Sequence, residues 1–173
     1  WNVEENRVIL GPEILAQLPA GELPDALVLG VGTGGTLIGV GQAFRAVNPK
    51  VRLFAMEPSE SRTILCGEVA THTIEGIADG FVPGIFQRNS ELVNEVLSVS
   101  SVEAVEAMRQ LARQHGLFCG PSSGAHLIAA RRIREMFPEL KNVVTIFCDK
   151  GEKYLQDYFM PAAQVTVGSQ QFA

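Results

Sequence analysis

At 173 residues, with 46% hydrophobic and 19% charged residues, the chain suits one domain with a real core and is too apolar to be intrinsically disordered. Its formal charge is −5 and its Lys and Arg residues are scattered, which excludes the basic patch a nucleic-acid surface needs. No apolar run approaches the roughly 20 residues of a membrane helix, and no basic-then-apolar leader is present, so a cytoplasmic protein without a membrane partner is expected.

The chain starts at Trp1, and a polar stretch leads into a helix, which suggests a piece of something longer or a processed chain. Gly11, Pro12 and Glu13 read as the start of that helix, with Pro in the first turn and Pro19 as the stop. Residues 26–29 form a short apolar run of the length and branching of a buried strand. A glycine-rich turn follows at residues 30–35, then a helix over 36–47 that Asn48 and Pro49 end. Residues 51–56 read as a second buried strand. A short helix is expected near 59–65, and a long ordered loop over 67–84.

Residues 94–99 suit a third strand. Ser100 and Glu103 make an S-x-x-E capping box before a helix over 102–115, and Gly116 closes it. A very short strand is expected at 117–119, a second tight turn at 120–124, and a helix over 125–136. A last strand is expected over 142–148, then a helical turn over 150–155 and a flexible tail from residue 161. The alternation of strands and helices predicts an α/β domain over residues 1–160 with an open, mainly parallel, twisted sheet and helices on both faces. The thiols Cys66, Cys119 and Cys148 include no C-x-x-C pair and are expected to be buried and reduced. The histidines His72, His115 and His126 show no metal spacing.

The strongest local signal is the turn of residues 30–36, Gly-Val-Gly-Thr-Gly-Gly-Thr, between a strand and a helix. Glycines let the backbone approach a ligand closely, and the free N–H groups of a helix start suit a phosphate. The turn also satisfies G-x-G-x-x-G at Gly30, Gly32 and Gly35, with Glu57 at the end of the next strand. That is the pattern of a dinucleotide site, so an NAD-binding module stays open on these residues. The second turn, Gly120-Pro121-Ser122-Ser123-Gly124-Ala125, is not called for by a dinucleotide. A ring cofactor with a phosphate arm needs contacts at both ends, and a serine here can reach a heterocyclic nitrogen. The alternative is that Ser122 or Ser123 merely caps the helix.

With residues 32–36, the stretches 11–14, 74–83, 120–125 and 151–155 form a series that resembles the cysteine synthase and cystathionine β-synthase family of fold-type-II pyridoxal-phosphate enzymes. Residues 74–83 are similar to the family's I-x-G-I-G-x-G-F-x-P loop and 120–125 to its G-x-S-S-G-A turn. Residues 151–155 are similar to its G-E-(R/K)-Y-L motif, and 11–14 to its G-P-E-I helix start. The resemblance implies that Gly32, Thr33, Gly34, Gly35 and Thr36 bind the phosphate of pyridoxal 5'-phosphate, that Gly76 lies close to the cofactor, and that Ser122 bonds the pyridine nitrogen. A serine there, in place of a carboxylate, leaves that nitrogen unprotonated and favours β-elimination.

By the same resemblance, the parent enzyme makes L-cysteine by β-replacement on O-acetylserine or serine with sulfide or another thiol. Ala78 stands where the family commonly has Gly, Asp79 adds a charge, and Cys148-Asp149-Lys150 replaces a more usual Pro-Ser-Ser-like stretch. The family's S-x-K-x-R motif, which carries the Schiff-base lysine, does not occur in the chain, and neither does the Asn-bearing loop that grips the substrate carboxylate. The chain alone is therefore expected to be inactive, with no catalytic residue of its own. It is also expected to form a homo-oligomer, or to pair with another chain that supplies the missing amino-terminal half.

Overall fold

The computed structural model describes residues 1–160; the expected tail, 161–173, lies outside the described residues. Four parallel strands form one sheet: β1 (Ala26–Gly30), β2 (Arg52–Pro58), β3 (Glu95–Val99) and β4 (Val143–Val144), in the order β3-β2-β1-β4. The expected α/β architecture is what the chain adopts.

Side chains alternate across a strand, so each strand feeds both faces. Ala26 and Val28 join Phe54 and Met56 in a core against α7 (Pro121–Met136) and α6 (Ser101–His115). Leu27 and Leu29 join Leu53 and Ala55 against α3 (Gly35–Val47). Burial on both faces explains why β1 reads as a continuous apolar run. Each fully buried Leu or Phe here contributes roughly 1.5–3 kcal/mol.

The amino-terminal helix begins earlier than its Gly-Pro-Glu signal. Helix α1 (Asn2–Glu5) runs through a π-turn (Asn6–Leu10) into α2 (Gly11–Gln17). Pro12 has no N–H to give to the carbonyl four residues back, and the Gly11 N–H bonds the carbonyl of Asn6, five back. This helical stretch crosses α3 at Gly11 and Gly39, where a Cβ would run into Ala43 and the Val3 carbonyl respectively.

Between β2 and β3 lie α4 (Thr63–Cys66), an irregular loop and α5 (Gly84–Arg88). The Ser100 hydroxyl accepts from the Glu103 N–H at 3.2 Å, and the Glu103 carboxylate accepts from the Ser100 N–H at 3.1 Å. Gly116 ends α6 at φ +66°. The Ser100 hydrogen bond is the main reason the Glu103 carboxyl sits below its usual range; the same carboxylate takes the Arg132 guanidinium, which also donates to the Ser98 carbonyl.

Further expected features differ. The strand at 117–119 is only a single antiparallel bridge between Cys119 and Lys150. Helix α7 starts at Pro121 with Gly120 as its cap, so Ser122 to Gly124 belong to its first turn, and neither serine side chain caps it. The strand over 142–148 pairs only at Val143 and Val144, because beyond them side chains take over the bonds to β1. Of the three thiols, Cys119 is buried while Cys66 and Cys148 are exposed, contrary to expectation. No helix of the described residues is long and apolar enough to cross a membrane.

Candidate functional site

The carboxyl end of β1 is where the winding of the sheet reverses, with β2 on one side and β4 on the other. In open parallel sheets the crevice at such a point is the usual ligand site. A cavity of about 510 Å³ opens there. All of residues 32–36 line it, as do Gly76 and Ser122, so the two turns singled out in the sequence face one space.

The first turn is shaped for close approach. Gly34 has φ +83°, a conformation that suits glycine. A Cβ on Gly32 would lie 2.6 Å from the Gly76 carbonyl oxygen, so a larger residue would force the turn and the 74–80 loop apart. That loop is pinned by the Ala78 N–H, which donates to the Val31 carbonyl at 3.0 Å. Ala78 itself has φ +54°, which explains physically why a glycine suits this position. The first backbone bond of α3 runs from the Ile38 N–H to the Gly34 carbonyl, so the N–H groups of Thr36 and Leu37 precede the helical ladder. The Thr33 hydroxyl accepts from the Gly35 N–H at 3.3 Å and from the Asn2 side-chain amide at 3.0 Å.

At the second turn the two serines part ways. Ser123 is fully buried and its hydroxyl accepts the Cys148 N–H at 3.2 Å, which ties α7 to the segment after β4. Ser122 lines the cavity at 5% exposure. Cys148 is exposed as a residue, but its thiol faces protein. Burial, and then the Asp149 charge, push that thiol up, against the opposing effect of the nearby Ser122 hydroxyl. It is thus a protonated, weakly nucleophilic group.

The far wall carries polar groups to which the sequence assigned no role. The Tyr154 hydroxyl donates to Asp149 Oδ2 at 2.6 Å; burial first, and then this bond, push the phenol up to about 12. Asp149 Oδ1 is buried without a donor among the described residues. Lys153 meets Glu75 at 2.6 Å, linking this wall to the 74–80 loop; Glu75 is first among the causes that raise the ammonium's value. His126 also lines the cavity, at 2% exposure.

Glu57, the acid of the dinucleotide pattern, is occupied elsewhere. It is buried, and its carboxylate accepts the N–H groups of Ile64 and Leu65 at 2.7 and 3.1 Å. Burial raises its value against the effect of those two bonds. It does not line the cavity, so the residue that would read a ribose is engaged at the start of α4.

Residues 1–149 match the family described as pyridoxal-phosphate dependent enzyme. The chain belongs to that family. A cysteine synthase of Staphylococcus aureus is 37% identical over 154 residues, which is 89% of this chain and 49% of that protein. O-ureido-L-serine synthase of Streptomyces lavendulae is 38% identical over 157 residues, 91% of this chain and 48% of that protein. The crystal structure of an O-acetylserine dependent cystathionine β-synthase from Helicobacter pylori superposes with a TM-score of 0.83 at 33% identity, covering 92% of this chain and 51% of that one. The chain therefore spans about half the length of the curated relatives it matches. Pyridoxal phosphate is the family's cofactor.

The residues present fit that group. Its phosphate matches the N–H groups of Thr36 and Leu37, which have no partner among the described residues, and only glycine keeps the turn this close, since Cβ atoms at residues 32, 34 and 35 would meet Gly76, Phe86 and Asn2. The sequence assigned no site role to His126, Asp149 and Tyr154, which line the cavity, or to Asn2, which holds the Thr33 hydroxyl. Tyr154 stands inside the 151–155 motif and Asp149 just before it, but only packing shows what Asn2 and His126 touch.

Proposed function

We propose that this chain is the cofactor-anchoring portion of a cysteine synthase-like enzyme, whose complete form performs β-replacement on O-acetylserine or serine, with sulfide or another nucleophile, to make L-cysteine. The observation that carries the reading is that the 32–36 turn and Ser122 face one cavity. Thr33 to Thr36 would hold the phosphate through backbone N–H groups and hydroxyls, and Ser122 would meet the ring nitrogen as a neutral partner. When bound, the cofactor supplies an electron sink for charge developing at the α-carbon of an amino-acid substrate.

The chain's own residues set the surroundings. Asn2 holds the Thr33 hydroxyl, Gly76 forms a side wall, and the Lys153–Glu75 pair spans from that loop to the far wall. None of the lysines is placed as a Schiff-base partner. Lys50 and Lys141 do not line the cavity, Lys150 is exposed, and Lys153 is held by Glu75. The isolated chain is therefore inactive in β-replacement, and the reactive lysine comes from elsewhere in the complete enzyme. Exposed Trp1, Val8 and Ile9 form an apolar patch on the amino-terminal helix, which supports pairing with another copy or with the missing half.

The test is a fluorescence titration of the purified chain with pyridoxal phosphate and, separately, with NAD. Saturable binding of the first, competed by inorganic phosphate, with none of the second, is expected. Binding of NAD alone would return the turn to the dinucleotide reading. Turnover of O-acetylserine and sulfide by the chain would overturn the inactivity.

A further inference from the structure

His126 is nearly fully buried, 2% exposed, and both ring nitrogens are used. Nε2 lies 2.7 Å from the Gly30 N–H, and Nδ1 lies 2.6 Å from the Ile146 carbonyl. An N–H facing Nε2 requires that nitrogen to accept, and a carbonyl facing Nδ1 requires that one to donate. The ring is therefore neutral, with its proton on Nδ1.

The partners of this ring are not arbitrary. Strand β1 pairs with β4 in parallel as Ala26↔Val143 and Leu27↔Val144, and the Ala26 N–H donates to the Asn142 carbonyl. Continuing that register by the parallel pattern, the Gly30 N–H would donate directly to the Ile146 carbonyl. The imidazole occupies that rung: it takes the hydrogen bond from Gly30 and passes one on to Ile146. The rung before it is also carried by a side chain, since the Thr145 hydroxyl donates to the Val28 carbonyl at 2.8 Å. The strand expected over 142–148 stops at Val144 because first the Thr145 hydroxyl and then the imidazole stand in the ladder.

We propose that His126 is a positioning residue of the cofactor site: its neutral ring replaces the Gly30–Ile146 rung and so holds the phosphate turn and the Cys148 wall apart at the mouth of the cavity. Gly30, His126, Ile146 and Cys148 all line that cavity. Gly30 leads into the 32–36 turn, and Ile146 is two residues before Cys148, so the ring fixes both walls through backbone atoms. Cys148 Sγ lies 3.9 Å from Nδ1, and Nδ1 already carries a proton that it donates to the Ile146 carbonyl, so it cannot take the thiol's proton and does not activate it. The role in cofactor placement rests on the pyridoxal-phosphate reading; the replaced rung does not.

The experiment compares the full chain with His126→Leu and His126→Gln by amide hydrogen exchange and by titration with pyridoxal phosphate. Leu leaves a buried donor and acceptor unpaired, whereas the Gln amide offers one of each. Exchange over residues 30–36 and 145–148 should accelerate roughly tenfold or more in the Leu variant, with β2 unchanged. Cofactor affinity should weaken by a similar factor, and Gln should recover most of both. A folded Leu variant that protects residues 30–36 as the wild type does, or that binds the cofactor equally well, would overturn the proposal. So would a uniform loss of protection across the sheet, which marks a merely structural histidine. Should the Leu variant fail to fold, the nitrogen-15 spectrum of His126 decides: a proton on Nε2 refutes the rung, and a proton on Nδ1 together with protection retained in the Gln variant supports it. A wild-type chain that does not bind pyridoxal phosphate, yet shows the expected exchange pattern, sinks the cofactor reading and its positioning role while keeping the rung.

Discussion

Replacing Gly124 by Ala tests the packing of α7 on α6 with a single methyl group. The added Cβ would collide with the Ala104 carbonyl oxygen and lie 2.7 Å from the Met108 nitrogen. Ordinary contact begins near 3.4 Å, and both atoms are backbone of α6, so no side chain can swing away. The helices must separate by about an ångström where Ala104, Ala125 and Ala129, all fully buried, pack. Overpacking of this kind costs about 1–3 kcal/mol. Helix propensity acts the other way, since Ala is favoured over Gly by about 1 kcal/mol in a helix interior. The steric effect should win, with a net loss of up to about 2 kcal/mol and a fall in Tm of roughly 2–4 °C per kcal/mol for a domain of this size. Urea denaturation of the two proteins measures it. Gly41→Ala in α3 is the control: the atoms nearest its Cβ are all of the Leu53 side chain, which can rotate, so its loss should be smaller. A Gly124→Ala protein more stable than wild type would mean that propensity dominates and that the α6–α7 contact is looser than described.

Ala78→Gly should stabilise the domain by roughly 0.5–1 kcal/mol, because Ala78 is held at φ +54°; a loss of stability on chemical denaturation would show that no strain is stored there. Ser100→Ala should cost about 1 kcal/mol by removing the capping box and loosening Glu103, read from the same denaturation curves. Burial holds His126 below the ordinary histidine range, so the folded state keeps it neutral while the unfolded chain takes up a proton below about pH 6.5. Stability should therefore be level above neutrality and fall as pH drops below that value, by up to about 1.4 kcal/mol per pH unit. The stability difference between wild type and His126→Gln should shrink between pH 7 and pH 5, since the other ionisable groups near the site, Cys148, Asp149 and Glu75 among them, are common to both proteins. A pH-independent difference would refute a neutral buried ring.

What the sequence by itself determined is what neighbouring residues decide among themselves. The apolar run of β1, the glycine turn, the Ser100–Glu103 box and the Gly116 cap each depend on contacts a few residues apart, and each stands where its pattern put it. The five family motifs likewise identified the relatives before any coordinate was known. The tertiary structure decided what depends on distant partners. Which serine faces the cavity depends on Cys148, 25 residues from Ser123. That Glu57 serves α4 and not a ribose follows from how the chain returns after β2. The early end of β4 depends on Thr145, bonded to Val28, and on His126, whose partner Gly30 is 96 residues away. Apolar periodicity shows that a segment can be a strand, but a ladder exists only where two backbones meet. A ring placed between them from a third element leaves no trace in the strand's own pattern.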